Sequence, residues 1–276
     1  MLRLWPDKYC AVLCPDRLEM IRRGRGLRGE VDFKITEAIV PDETGSSWRA
    51  AADAFQQLLS SAEIGTGHLA VVLSNHFVRY LLVPWNAKIA SEEEFRNYAA
   101  AMFADVYGEA STNWDVSASA ERSGAPRLAA AVDRSLLEAI RMTAAKSRLR
   151  LTSVQPYLMA VYNRVAQPRH TKDFVFMLVE TGRACILVAQ GGKWRYVSAM
   201  AAPEQPAALS FLLEREIQLA DLQGESVPPV WVHAAQRRGL TLPPVHGETP
   251  LVLESKPLAG LAQMSGAACE LAAAVA

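Results

Sequence analysis

The run Gly24-Arg25-Gly26-Leu27-Arg28-Gly29 has the G-x-G-x-x-G spacing with which a dinucleotide-binding turn lays its backbone against a pyrophosphate. That chemistry needs a helix N-terminus directly after the glycines. Here Val31 to Val40 alternate as a strand, so the match is read as fortuitous. Five histidines, His68, His76, His170, His233 and His246, lie far apart without metal-ligand spacing; no metal site is expected, and each is read as structural or exposed. Of four cysteines, Cys10 and Cys14 stand four apart in a strand pattern as small buried apolar groups, and Cys185 and Cys269 are scattered elsewhere. Neither a Walker A loop nor a Gly-x-Ser-x-Gly elbow occurs, so P-loop and nucleophilic chemistry have no local support. Arg22, Arg23, Arg25 and Arg28 crowd one hairpin tip, read as solvated, the alternative being contact with acidic lipid headgroups. Arg79, Tyr80, Trp85, Tyr107 and Trp114 are residue types enriched at interface hot spots and are the candidates for binding a partner; each ring also has the plain reading of filling a local core.

The elements that must carry these residues follow from periodicity. Tyr9 to Cys14, Leu18 to Arg23 and Val31 to Val40 alternate as a three-stranded meander, broken at Pro15-Asp16 and at the glycine run. Ser46 or Ser47 caps a helix with Trp48, Ala52, Phe55, Leu58 and Leu59 on one face, and Leu69 to Leu73 is apolar throughout, as in a strand buried on both faces. An α+β insertion is expected at about 76–148: strand Phe77 to Val83, a helix opened by the Ser91/Glu94 capping box, strands Trp114 to Ala120 and Arg127 to Val132, and a helix over Ser135 to Ser147. Leu151 to Val154 then returns to the first sheet, and Pro156 starts a closing helix. After a boundary at Pro168 to Lys172 the plan repeats, with strands Phe174 to Val179, Ala184 to Ala189 and Trp194 to Val197, a helix from Ala207 to Ala220, strands Pro229 to Val232 and Leu251 to Leu253, and a helix from Pro257 or Leu258. The lobes are 1–168 and 169–276. The shared order of element types points to duplication.

A chain of 276 residues, half of them hydrophobic, has enough apolar surface for two lobes with real cores. Lys+Arg and Asp+Glu both number 29, which excludes a global field drawing the chain to nucleic acid or an anionic membrane. The first residues lack a signal-peptide pattern and no apolar stretch reaches roughly 18 residues; the Ala-rich run Gly266 to Ala276 is read as the end of a surface helix. The cysteine usage fits a reducing compartment.

Two successive lobes, each opening on a meander, form the plan of the actin, Hsp70 and sugar-kinase superfamily, a two-lobed α/β (α+β), RNase H-like fold. More narrowly, Val78-Arg79-Tyr80-Leu81-Leu82-Val83-Pro84-Trp85, Trp114-Asp115, Arg127 to Asp133 and Val154-Gln155-Pro156 resemble the PilM family of type IV pilus assembly proteins and the cytoplasmic actin-like part of type II secretion L components. The resemblance covers roughly residues 8–255 in layout. It implies a bacterial cytoplasmic scaffold, peripheral to the inner membrane through a partner whose cytoplasmic segment enters the cleft or the insertion as an extended peptide, with homo-oligomerisation open and no nucleic acid.

Working members of the superfamily hold Mg·ATP with an Asp-x-Gly turn in each lobe and a Gly-Gly pair after a late strand. Against that pattern the first turn reads Cys14-Pro15-Asp16-Arg17, where proline removes a donor and no glycine allows close approach. The second, Glu180-Thr181-Gly182-Arg183, keeps a carboxylate and a glycine. The third, Val232-His233-Ala234-Ala235-Gln236, puts methyl groups where the family has bare backbone. No cofactor, no metal and no catalytic residue are therefore expected. Arg17 and Arg183 read as solvated hairpin arginines, the alternative being an anion between them. The competing function is an ATPase or kinase that places Mg²⁺ with Glu180 and Asp16.

Overall fold

The computed structural model describes residues 7–23, 31–40, 48–61, 64–166, 171–222, 228–237 and 239–253. The capping serines of the first helix, the glycine run, His170, Cys269 and the helix expected from Pro257 lie outside them.

The described chain divides into two compact units, one holding residues up to Phe77 with Arg134–Arg164, the other Val78–Asp133 with Val165 onward. In the first, β1 (Asp7–Leu13), β2 (Arg17–Arg23), β3 (Val31–Ala38), β4 (Gly67–Leu73) and β8 (Leu149–Pro156) form a sheet of order β3-β2-β1-β4-β8. The meander is antiparallel, and β4 and β8 add in parallel. Gly67 lets β4 lie close to β1, since a Cβ there would meet the Asp7 carbonyl oxygen at 2.5 Å. Helix α1 (Trp48–Ser61) buries Ala51, Ala52, Phe55, Leu58 and Leu59, and packs on α3 (Arg134–Lys146), which buries Leu136, Leu137, Ile140 and Ala144. The closing helix is shorter than its pattern suggests: α4 (Tyr157–Val161) passes into a π-helical turn over Tyr162–Ala166.

The second unit repeats this order. Its sheet, β11 (Lys193–Ala201), β10 (Arg183–Gln190), β9 (Phe174–Glu180), β12 (Val230–His233) and β13 (Leu251–Val252), again extends an antiparallel meander by two parallel strands. Helix α5 (Pro206–Leu219) lays Leu209, Leu213 and Ile217 on Val175, Met177 and Val179 of β9 and Val230 and Val232 of β12.

Residues 78–133 form a separate layer, a three-stranded sheet of order β5-β7-β6 from β5 (Val78–Val83), β6 (Trp114–Ala118) and β7 (Arg127–Asp133), covered by α2 (Glu92–Tyr107). The Ser91/Glu94 capping box that opens α2 is formed in both directions. The layer groups with the second unit, because β5 packs against β11. Helix α3, expected inside the insertion, packs instead on α1 of the first unit. No described helix is long and apolar enough to cross a membrane.

Candidate functional site

In the first meander, β1 runs into Cys14-Pro15 and β2 begins at Arg17. The Arg17 guanidinium is not the solvated group expected of a hairpin: its side chain is 15% exposed, its Nη1 donates to both carboxylate oxygens of Asp16 at 2.8 Å, and its Nε donates to Glu19 Oε1 at 2.8 Å. Arg17 and Glu19 share a strand face, being two apart, and Glu19 is 1% exposed. Burial alone would lower the arginine's pKa; Cys14, Asp16 and Glu19 outweigh it and hold the charge in place. The backbone of the turn is also engaged, Cys14 N–H donating to Arg17 O at 3.0 Å and Ile39 N–H to Asp16 O at 2.8 Å.

The second turn joins β9 to β10 through Thr181 and Gly182, with Gly182 at φ 70°, a conformation that favours glycine. Thr181 N–H donates to Gln236 Oε1 at 3.0 Å, and its hydroxyl donates to the same oxygen at 2.5 Å. Gln236 belongs to the third loop, so within this unit that loop closes onto the second turn with a side-chain amide oxygen. Arg237 anchors the loop from the other side by donating to the carbonyls of Pro203 and Glu204. Ala234 and Ala235 are buried. His233, 1% exposed, donates from Nδ1 to Leu253 O at 2.7 Å; burial lowers its pKa, the Leu253 bond opposing, and the ring is neutral with Nε2 lacking a hydrogen bond. Glu180 is buried, and Arg183 is half-buried with its Nε enclosed and unbonded. Glu19 is absent from the site residues expected from sequence, and Gln236 ends the third loop there with no role assigned to it. The Arg17–Glu19 spacing on one strand face was the available signal for the first; the second depends on a contact 55 residues long.

The interface candidates separate by environment. Tyr80 is buried beside Glu180, Cys185 and Arg183, and burial raises its pKa. Arg79 is half-buried, its pKa lowered by burial and then by the charge of Arg183. Tyr107 and Trp114 close a ring cluster with Phe103, at centroid distances of 6.1 Å for each to Phe103 and 5.1 Å to each other. Trp85, 50% exposed, lines a cavity of about 290 Å³ with Ile89, Phe95, Glu121, Arg122 and Arg127. Arg127 fixes one wall: it forks onto Glu92 at 2.8 and 3.0 Å, donates to Ser119 O at 2.6 Å and lies 3.9 Å over the Phe95 ring. Its hydrogen bonds lower the Glu92 pKa.

At the other side of the same sheet β6 has an open edge. Its register with β7, together with Ser119 N–H donating to Leu128 O at 2.8 Å, turns the backbone groups of Asp115 and Ser117 towards β7. Those of Trp114, Val116 and Ala118 therefore face outward, while their side chains pack towards α2. Among the described residues no strand pairs with this edge, and it carries no lysine, proline or bulge.

Cys10, Cys14 and Cys185 are buried free thiols, with burial raising Cys10 to about 12 and Cys185 further. Among the described residues no group of His, Cys, Asp and Glu could hold a metal ion. His68 is half-buried and His246 exposed; His76 N–H donates to Ser74 Oγ. Arg22 and Arg23 end β2, and Arg25 and Arg28 lie outside the described residues.

No family model and no curated protein matches the chain. Among solved structures, the PilM–PilN type IV pilus biogenesis complex is similar at TM-score 0.59 and 14% identity, over 96% of this chain and 97% of that one. The cytoplasmic domain of EpsL, an inner-membrane component of the type II secretion system of Vibrio cholerae, is similar at 0.57 and 12%, over 96% and 92%. A Bacteroides thetaiotaomicron protein of unknown function with an actin-like ATPase fold is similar at 0.57 and 9%, over 85% and 83%. At these identities the likeness is one of fold, and it agrees with the doubled order of strands. The chain therefore has the actin-like ATPase fold, and in that fold it is similar to PilM and to the cytoplasmic domain of EpsL.

Proposed function

We propose that this chain is a non-catalytic scaffold, cytoplasmic and peripheral to the inner membrane, that holds the cytoplasmic segment of an inner-membrane assembly protein in a pilus or secretion machine. The observation that carries the non-catalytic half is the closure of the turns from within. The donor at Thr181 is taken by Gln236, both Asp16 oxygens are taken by Arg17, and Pro15 has no N–H to give. Mg·ATP needs those donors and that carboxylate, so the residues present do not fit it. Support for the partner half comes from the open edge of β6, a place where an extended peptide adds main-chain hydrogen bonds. The solved PilM–PilN complex is a pilus biogenesis assembly of the same fold.

Two measurements test this. Millimolar Mg·ATP is expected to leave the thermal unfolding midpoint unchanged, whereas a ligand at 100 times its dissociation constant stabilises by about 2.7 kcal/mol; a clear upward shift revives the ATPase or kinase reading based on Glu180 and Asp16. Affinity capture from native extract, read by mass spectrometry, is expected to yield a membrane protein with a short cytoplasmic segment, and a synthetic peptide of that segment to bind the chain directly. Val116→Pro removes an N–H that points away from β7, so it blocks the edge while sparing the ladder. It is expected to reduce peptide affinity at least tenfold with the fold retained, and unchanged affinity would remove β6 as the docking edge.

A further inference from the structure

We infer that the outer edge of β6 also pairs with β6 of a second copy of this chain, antiparallel about a two-fold axis at Val116. The inference rests on the same reading of β6 as an edge open to a further strand, and it sets a competitor against the peptide. The backbone groups of Trp114, Val116 and Ala118 point away from β7, and among the described residues no strand takes them. Asp115 and Ser117 are exposed, and Trp114, Val116 and Ala118 are half-buried, so the strand is accessible along its length. Edges protected from self-pairing carry a lysine, a proline or a bulge, and β6 has none.

The order of residues along β6 selects the occupant. An antiparallel pair joins groups that face each other, and a two-fold contact must complement itself. In the register centred on Val116 all 5 residues of β6 find a partner. Trp114 then stands opposite the second copy's Ala118, large against small, on the face that packs towards α2. Asp115 stands opposite the second copy's Ser117 on the exposed face, a carboxylate against a hydroxyl. The neighbouring register in one direction sets Asp115 on Asp115, which like charge disfavours; in the other direction Trp114 is left unpaired. A peptide meets these demands only if its own sequence happens to, whereas a second copy carries them by necessity. About six main-chain hydrogen bonds result, exchanged by Trp114, Val116 and Ala118 of each copy. The two layers then share one sheet of order β5-β7-β6-β6-β7-β5.

Sedimentation velocity of the full chain from about 1 to 500 µM is expected to show a reversible monomer–dimer equilibrium, because so short a strand makes an interface below the standard size. Val116→Pro removes the N–H on the axis from both copies and is expected to raise the dimer dissociation constant at least tenfold, with circular dichroism and the unfolding midpoint unchanged. The register is read by Asp115→Cys/Ser117→Cys. Opposed residues outside the hydrogen-bonded pairs have Cα atoms about 4.5 Å apart, within disulfide range, so mild oxidation is expected to give a covalent dimer that a thiol reverses. Asp115→Cys alone, which sets no new thiol opposite another, is expected to give at least tenfold less of it. A parent that stays monomeric throughout, a dimer indifferent to Val116→Pro, or a cross-link equal in the single and double cysteine variants would each overturn self-pairing. Peptide docking is judged separately, by affinity for the captured segment. A chain that dimerises through β6 and binds no peptide there loses the docking reading and keeps this one, and the opposite result does the reverse.

Discussion

Phe103→Ala is expected to lower the unfolding free energy by about 3–5 kcal/mol, the range for removing a buried aromatic ring. Phe103 has no solvent exposure and sits at the centre of the 78–133 layer, between Tyr107 and Trp114 and against Ala99, Ala129 and Ala131. Those alanines are too short to reach into the space a missing ring leaves, so little of the cavity can collapse. The layer has one small core, and its sheet has only three strands. Urea unfolding measures the loss, and limited proteolysis is expected to cut first between residues 78 and 133. Phe103→Leu, closer in volume, serves as the comparison and is expected to lose distinctly less. A loss under about 1 kcal/mol for the alanine variant would show that the rings are not packed as described.

Arg17→Met is the second large effect. It leaves Glu19, 1% exposed, without the guanidinium that faces it at 2.8 Å, and breaking a buried pair from one side costs about 3–5 kcal/mol. The Asp16 arm adds little, because that carboxylate is 43% exposed and water screens it. Removing both partners, as Arg17→Met with Glu19→Leu, is expected to recover most of the loss, since no charge is then left stranded. Denaturant unfolding of the two single variants and the double variant closes the cycle. If the double variant is as unstable as Arg17→Met alone, the cost lies in the turn backbone and not in the ion pair.

Much of the architecture was legible because it is written in local pattern. The two meanders, the Ser91/Glu94 cap and the apolar strand at Leu69 to Leu73 each depend on neighbours within a few residues, and each lies where its pattern places it. What sequence spacing does not encode is which element another packs against. Helix α3 follows β7 without a break, yet its apolar face of Leu136, Leu137 and Ile140 turns to α1, more than 70 residues earlier. The same blindness governs the site. The proline and the alanines of these loops are visible in the chain, but the occupation of Thr181 by Gln236 and the burial of Arg17 on Glu19 appear only when the loops are folded. Tyr80, Tyr107 and Trp114 are of types that suit an interface; Tyr80 is buried, and Tyr107 and Trp114, half-buried, pack around Phe103.

The grip of Gln236 on Thr181 has a thermodynamic corollary. Its oxygen is tethered to the same polypeptide and does not dilute away, so any free anion competes against an occupant whose effective concentration is fixed by the loop that carries it. Arg237, held on the carbonyls of Pro203 and Glu204, shortens the excursions of that loop and strengthens the incumbent. On the proposed scaffold reading, such a turn is expected to keep one shape whether nucleotide is abundant or scarce.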